Sequence, residues 1–146
     1  MQYLLIQFQD EKYWLELNEE KYALRQIILD NNSKLQISCF EDCLAEGVVC
    51  ENDFDGICKK ISEDEFINVW NDVLEPYKKK WKEIKAKYFV GYRISGRCKY
   101  FYPQGAIIKG KDYVALYEGT KNMAINEFVS AQVKGYDEDN MWLILE

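Results

Sequence analysis

Apolar residues along this chain fall into three regimes. Short runs rich in β-branched and aromatic residues occupy the first forty positions, a stripe with three- and four-residue spacing follows, and short runs return after Gly91. In the first regime, residues 3–9 and 13–17 flank Asp10-Glu11-Lys12, which predicts a hairpin. Residues 22–29 and 35–40 flank Asp30-Asn31-Asn32-Ser33-Lys34, a turn-forming cluster in which Asn tolerates positive φ. A four-stranded antiparallel meander is expected. Residues 41–60 are acidic, broken by Gly47 and Gly56, and read as a loop holding at most a helical turn.

Ser62-Glu63-Asp64-Glu65 is a capping box. The Ser62 hydroxyl is placed to accept from the third helical N–H, and three acids in the first turn suit the positive helix end. Phe66, Val69, Trp70, Val73, Leu74 and Tyr77 then form one apolar stripe, which Trp81, Ile84 and Tyr88 extend. Pro76 lacks an N–H and clashes with the preceding turn, so a kink or two consecutive helices are expected there. After Gly91, strands are expected over Arg93–Phe101, Ala106–Lys109, Tyr113–Leu116, Phe128–Tyr136 and Met141–Leu145. Their turns are Pro103-Gln104-Gly105, Gly110-Lys111 and Asp137-Glu138-Asp139-Asn140. The expected architecture is α+β. An antiparallel β region with an acidic loop spans 1–60, a helical connector 61–90, and a five-stranded β-barrel 91–146, with the helix stripe as the joint.

At these strands the chain resembles the RNA-binding domain named after ribosomal protein S-one, a five-stranded barrel of the OB type. Gly96-Arg97-Cys98-Lys99-Tyr100-Phe101 looks like that family's first strand and Gly105-Ala106-Ile107-Ile108 like its second. Residues Val129 to Asp137, followed by Trp142-Leu143-Ile144-Leu145, look like its last pair. The resemblance covers little more than a third of the chain; that family binds RNA, but the resemblance carries the fold and does not by itself imply the ligand. It departs at three contact positions: the aromatic before Gly-Ala is Gln104, the aromatic two residues after that glycine is Ile107, and the third-strand histidine falls near Ala115. Base stacking would then fall to Tyr100, Phe101, Tyr102 or Tyr113.

Charge sharpens the location of a binding surface. The chain carries a net −6, yet residues 77–99 hold nine basic side chains and one acidic, whereas residues 1–60 hold six and twelve. Lysines and arginines interleaved with aromatics from Tyr77 to Tyr102 are the mixture that neutralises phosphates and stacks bases. Lys78, Lys79, Lys82, Arg93, Lys99, Tyr100, Tyr102 and Tyr113 are therefore the candidate nucleic-acid contacts. The alternative partner is a basic enzyme or toxin, met by the acidic first half as an immunity or inhibitor protein would meet it.

Catalysis has little to work with. Histidine is absent, which removes His-based triads and most catalytic zinc sites, and no phosphate loop or nucleophile elbow is present. Cys39-x3-Cys43-x6-Cys50-x7-Cys58 lacks the tight pairs of a zinc ribbon, and with Cys98 the cysteines read as thiols used as small hydrophobes. The acidic stretch lacks the ligand spacing of a calcium loop. No cofactor or metal is expected, and the chain reads as a non-catalytic binding protein. The N-terminus has no secretory pattern and no run is long and apolar enough to span a membrane, so a cytoplasmic location is expected.

Overall fold

The structure, a computed structural model, describes residues 1–146, Asp53 by its backbone alone. It is α+β, with ten strands in two five-stranded sheets, and divides into two compact units at Glu75/Pro76.

The first unit is an antiparallel sheet built from β1 (Gln2–Phe8), β2 (Glu11–Leu17), β3 (Ala23–Leu29), β4 (Leu35–Ile37) and β5 (Ile57–Ile61), in the order β4-β3-β2-β1-β5. The expected meander forms, with tighter turns. Phe8 pairs directly with Glu11, so the first hairpin closes on Gln9-Asp10, with Gln9 at φ +54°. In the second, the Asp30 carboxylate accepts from the amides of Asn32 (2.8 Å) and Lys34 (2.9 Å), and Ser33, rather than an asparagine, takes positive φ.

The expected loop over 41–60 gives way at Ile57 to β5, which pairs with β1 from Tyr3↔Ile61 to Gln7↔Ile57. Ile-Cys-Lys-Lys-Ile has no alternation to announce a strand; the free edge of β1 supplies its partner. Gly56 permits the approach, since a Cβ there would lie 2.1 Å from the Gln7 carbonyl oxygen. Helix α1 (Glu63–Leu74), capped by Ser62 Oγ accepting from the Glu65 amide at 3.1 Å, buries Phe66, Trp70 and Leu74. Phe66 stacks on Trp70 and meets Tyr3 of β1 at 5.4 Å between ring centroids. Beside them, Arg25 lies 5.2 Å over both the Phe66 and the Trp70 rings and makes two hydrogen bonds of 2.7 and 2.8 Å to buried Glu16.

Pro76 divides the helical stripe: a 3-10 turn over Glu75–Tyr77 follows α1, and a second helix, α2 (Lys78–Lys87), opens the second unit. The barrel strands are β6 (Arg93–Tyr102), β7 (Gly105–Lys109), β8 (Val114–Tyr117), β9 (Phe128–Asp137) and β10 (Trp142–Leu145). They close in the order β10-β8-β7-β6-β9, and β9 pairs in turn with β10. All pairs are antiparallel except β8 with β10. A register shift between Cys98 and Tyr100 lets β6 bend and serve both β9 and β7. Gly96 is required where β6 passes Tyr113, because a Cβ there would meet the Tyr113 hydroxyl at 2.6 Å.

The Arg25–Glu16 pair makes the first unit sensitive to one substitution. Glu16→Ala strands a largely buried guanidinium and should cost about 3–5 kcal/mol, whereas Glu16→Leu with Arg25→Met should recover most of it. Urea denaturation of the three proteins measures the difference; equal midpoints for Glu16→Ala and the parent would refute the assignment.

Candidate nucleic-acid interface

Helix α2 is fixed to the barrel by polar contacts at both its ends. Trp81 is buried, and its indole N–H donates to Glu138 at 2.8 Å, while Lys85 reaches the same carboxylate at 2.8 Å. The single Tyr136 hydroxyl proton is shared between the Tyr88 carbonyl at 2.9 Å and the Lys85 carbonyl at 3.2 Å, at the C-terminal end of the helix where carbonyls run out of intrahelical donors. Tyr88 donates to Asp112, whose other oxygen takes Lys87 at 2.8 Å. Lys85 and Lys87 are thereby committed to the fold.

Of the sequence-predicted contacts, Lys78, Lys79 and Lys82 are exposed on α2, and Arg93 and Lys99 are exposed on β6. The three tyrosines are not available. Tyr100 and Tyr102 are 9% and 7% exposed, 5.0 Å apart, with Tyr102 against fully buried Trp142 and the Lys109 ammonium over the Tyr100 ring. Tyr113 is 7% exposed and donates to the Ser95 carbonyl at 2.8 Å. Ile107 and Ala115, which stand where the resembled family has an aromatic and a histidine, are fully buried, so those positions offer no ligand contact here. The eight residues do not form one surface.

A different set does reach solvent. Exposure alternates along β6, leaving Arg93, Ser95, Arg97, Lys99 and Phe101 outside, and along β9, leaving Phe128, Ser130, Gln132 and Lys134 outside. None of these is acidic. Arg93 pairs with Gln132, Ser95 with Ser130 and Arg97 with Phe128, so cations, hydroxyls, an amide and an aromatic ring alternate over one two-stranded surface. Arg97 lies 5.1 Å over the Phe128 ring and donates to the Asn126 carbonyl at 3.0 Å, which holds both groups outward. Phe101 and Phe128 are 50% and 56% exposed. Period-two counting from Ile94 marks the difference in the sequence itself: Tyr100 and Tyr102 share the phase of Ile94 and Cys98, and Phe101 shares that of Arg93 and Arg97.

The unit boundary also separates charge. Residues 1–75 hold 17 acidic and six basic side chains, net −11, and residues 76–146 hold eight and 13, net +5. On the barrel, Lys134 pairs with Glu118 and Lys121 with Glu127, both at 3.3 Å.

Among the described residues, no group of three or more His, Cys, Asp or Glu is placed to hold a metal ion, and no helix is long and apolar enough to cross a membrane. Cys39 and Cys98 are buried, Cys43 and Cys58 half-buried and Cys50 exposed. Burial, then Glu41 and Asp42, push the Cys43 thiol up to about 12, so it is not a nucleophile at neutral pH. No family, curated protein or solved structure matches the chain.

The carboxylates that hold α2 give the second unit a pH signature. Burial raises both, but hydrogen bonds from Lys85 and Trp81 to Glu138, and from Lys87 and Tyr88 to Asp112, outweigh it and hold the carboxyls below their ordinary range. A folded-state value below the unfolded one stabilises above the unfolded value, and that contribution is lost as pH falls through the folded one. Stability of the second unit should therefore fall below about pH 4. Asp112→Asn with Glu138→Gln should be less stable near neutrality and flatter across that window; thermal melts against pH measure both.

Proposed function

We propose that the second unit is an OB-type barrel that binds single-stranded RNA without catalysing a reaction. Five short strands closed around one bent first strand, with a parallel β8–β10 pair, support the fold reading. The observation that carries the function is the row of exposed residues on β6 and β9, cationic and aromatic with no acidic member in a chain of net −6, bordered by Glu146 opposite Gln132 and by Glu118 at Lys134. Arg93, Arg97 and Lys99 would neutralise phosphates, and Phe101 and Phe128 would stack bases in place of the buried tyrosines. Lys79, Lys80 and Lys82 are exposed on α2 and add phosphate contacts.

Binding is expected to be weak and strongly salt-dependent. Arg93→Glu with Arg97→Glu should weaken it and lower the log–log salt slope by about 0.7 for each lost phosphate contact, and Phe128→Ala should cost about 1–3 kcal/mol. Charge reversal at Lys79 and Lys80 should weaken binding without unfolding the chain. Fluorescence anisotropy of labelled RNA and DNA oligonucleotides decides it: no binding at low ionic strength would sink the proposal.

A second reading attaches to the first unit, whose net −11 suits a basic protein partner. Recovery of a stoichiometric basic protein, and no RNA, on affinity capture would favour it over the first.

A further inference from the structure

The sheet of the first unit has two faces, and α1 covers only one of them. Tyr3, Glu16 and Arg25 stand on the α1 side, because directly paired residues share a face. On the other side stand Ile6 and Phe8 of β1, Tyr13 and Leu15 of β2, and Gln26 of β3. The chain between β4 and β5 lies over this second face and is tied to it. The Gln26 amide donates to Ser38 Oγ at 3.0 Å, the Ala45 amide to Gln26 Oε1 at 2.7 Å and the Val49 amide to the Lys21 carbonyl at 2.9 Å. Between the sheet and this chain remains a cavity of about 360 Å³, walled by Ala45, Phe54, Asp55 and Gly56. It shares Phe8, Asp55 and Gly56 with an outer cleft of about 630 Å³, which Asp10, Glu11 and Lys12 also line.

The inner cavity is apolar except at its two ends. Gln26 is 5% exposed, and with its Oε1 held by Ala45 its Nε2 has no hydrogen-bond partner among the described residues. A buried amide donor left unmet costs about 1–3 kcal/mol, so this group favours any occupant that brings an acceptor. At the other end the Tyr13 hydroxyl donates to Glu11 at 2.5 Å. That bond, with burial, pushes the phenol up to about 12, so it keeps its proton and offers a ligand its lone pairs. Around the rim Asp10, Glu11 and Asp55 stand against Lys12 alone, and Phe8, 38% exposed, presents an aromatic ring beside them.

We propose that this cleft binds a small aromatic amine that carries an oxygen acceptor at the end remote from its nitrogen. The ring fills the space between Ile6, Leu15 and Phe54, the acceptor meets Gln26 Nε2, and the ammonium lies among Glu11, Asp55 and the Tyr13 oxygen. Charge sets the sign of the ligand, since a carboxylate in place of the ammonium would face three acids and one lysine. Size sets its class. The inner cavity lies at the low end of the ~300–1,000 Å³ of small-molecule sites, which suits one ring with a short arm rather than a nucleotide. Leu15, paired with Gln26, and Glu11 are four residues apart, or about 13 Å along β2. A phenol with a two-carbon amine arm covers that length with a hydrogen bond at each end. The site lies wholly within the first unit and is independent of the barrel surface.

Three probes separate the parts of the site: tyramine, para-ethylphenol, which lacks the ammonium, and phenethylamine, which lacks the oxygen. Calorimetric titration of the full chain, with amide NMR shifts read at Ala45 and Gly56, compares the parent with Asp55→Asn, with Glu11→Gln and Asp55→Asn together, and with Gln26→Met, each checked for folding by near-UV circular dichroism. Asp55 is exposed, so Asp55→Asn is the arm that keeps its fold if Gln26→Met, which also frees the Ala45 amide, does not. The expected result is saturable tyramine binding that shifts Ala45 and Gly56. It should weaken about five- to thirtyfold in the double carboxylate variant, and about two- to tenfold in Gln26→Met or with phenethylamine in place of tyramine. The proposal is overturned if tyramine shows no saturable binding at millimolar concentration, if para-ethylphenol or phenethylamine binds as tightly, or if the double carboxylate variant binds tyramine as the parent does. It is overturned also if tyramine fails while a captured basic protein is lost with the same variants, which would make the rim a protein contact.

Discussion

Strand β6 is hydrogen-bonded along both edges, to β9 through its first half and to β7 through its second, and the second unit depends on that double use. A straight strand of ten residues cannot close a five-stranded barrel; the register shift at Cys98–Tyr100 bends it so that β7 returns on one side and β9 on the other. Closure then leaves β8 and β10 to meet in parallel, a pairing that only a non-local connection provides. With no open edge in the barrel, the backbone polar groups are used internally, and what the barrel presents to its surroundings is side chains.

Those side chains are sorted by the same constraint. Along β6 and β9 every second residue is withdrawn from solvent, so Ile94, Cys98, Val129, Ala131 and Val133 supply burial while the cations, hydroxyls and two phenylalanines are left outside. Tyr113 shows how fully the aromatics of this unit serve structure: its hydroxyl reaches the Ser95 carbonyl across the space that Gly96 leaves free. Tyr88, Tyr136 and Trp81 likewise spend their polar atoms on holding α2, which is why a segment so rich in rings and lysines offers fewer of either to a ligand than its composition suggests.

Charge in this chain divides with its two units. The first unit carries a net −11 and a sheet covered by α1; the second carries +5, with no acidic residue among the exposed positions of β6 and β9. A uniform reading of the whole chain as acidic would miss this, because long-range attraction to a polyanion is set by the local surface within about a Debye length of ~8–10 Å.

Local chemistry determined much of this by sequence alone. The Ser62 cap, the break at Pro76, the Asp137 carboxylate accepting from the Asp139 and Asn140 amides, and the strand-length runs of both sheets are set by residues within a few positions of one another. The α+β class and the antiparallel N-terminal sheet were legible for that reason. What was not legible depends on partners far along the chain. β5 is a strand because the edge of β1, some fifty residues earlier, needs hydrogen bonds, and nothing in Ile57–Ile61 declares it. Residue type alone does not separate Tyr100, Tyr102 and Tyr113 from aromatics on a binding face; the period-two phase of β6 sets the first two with Ile94 and Cys98, and packing against Trp142, Lys109 and the β6 backbone decided that all three are buried. Residue type fixes what a side chain can contact, and only the tertiary fold fixes whether water, a neighbour or a ligand reaches it.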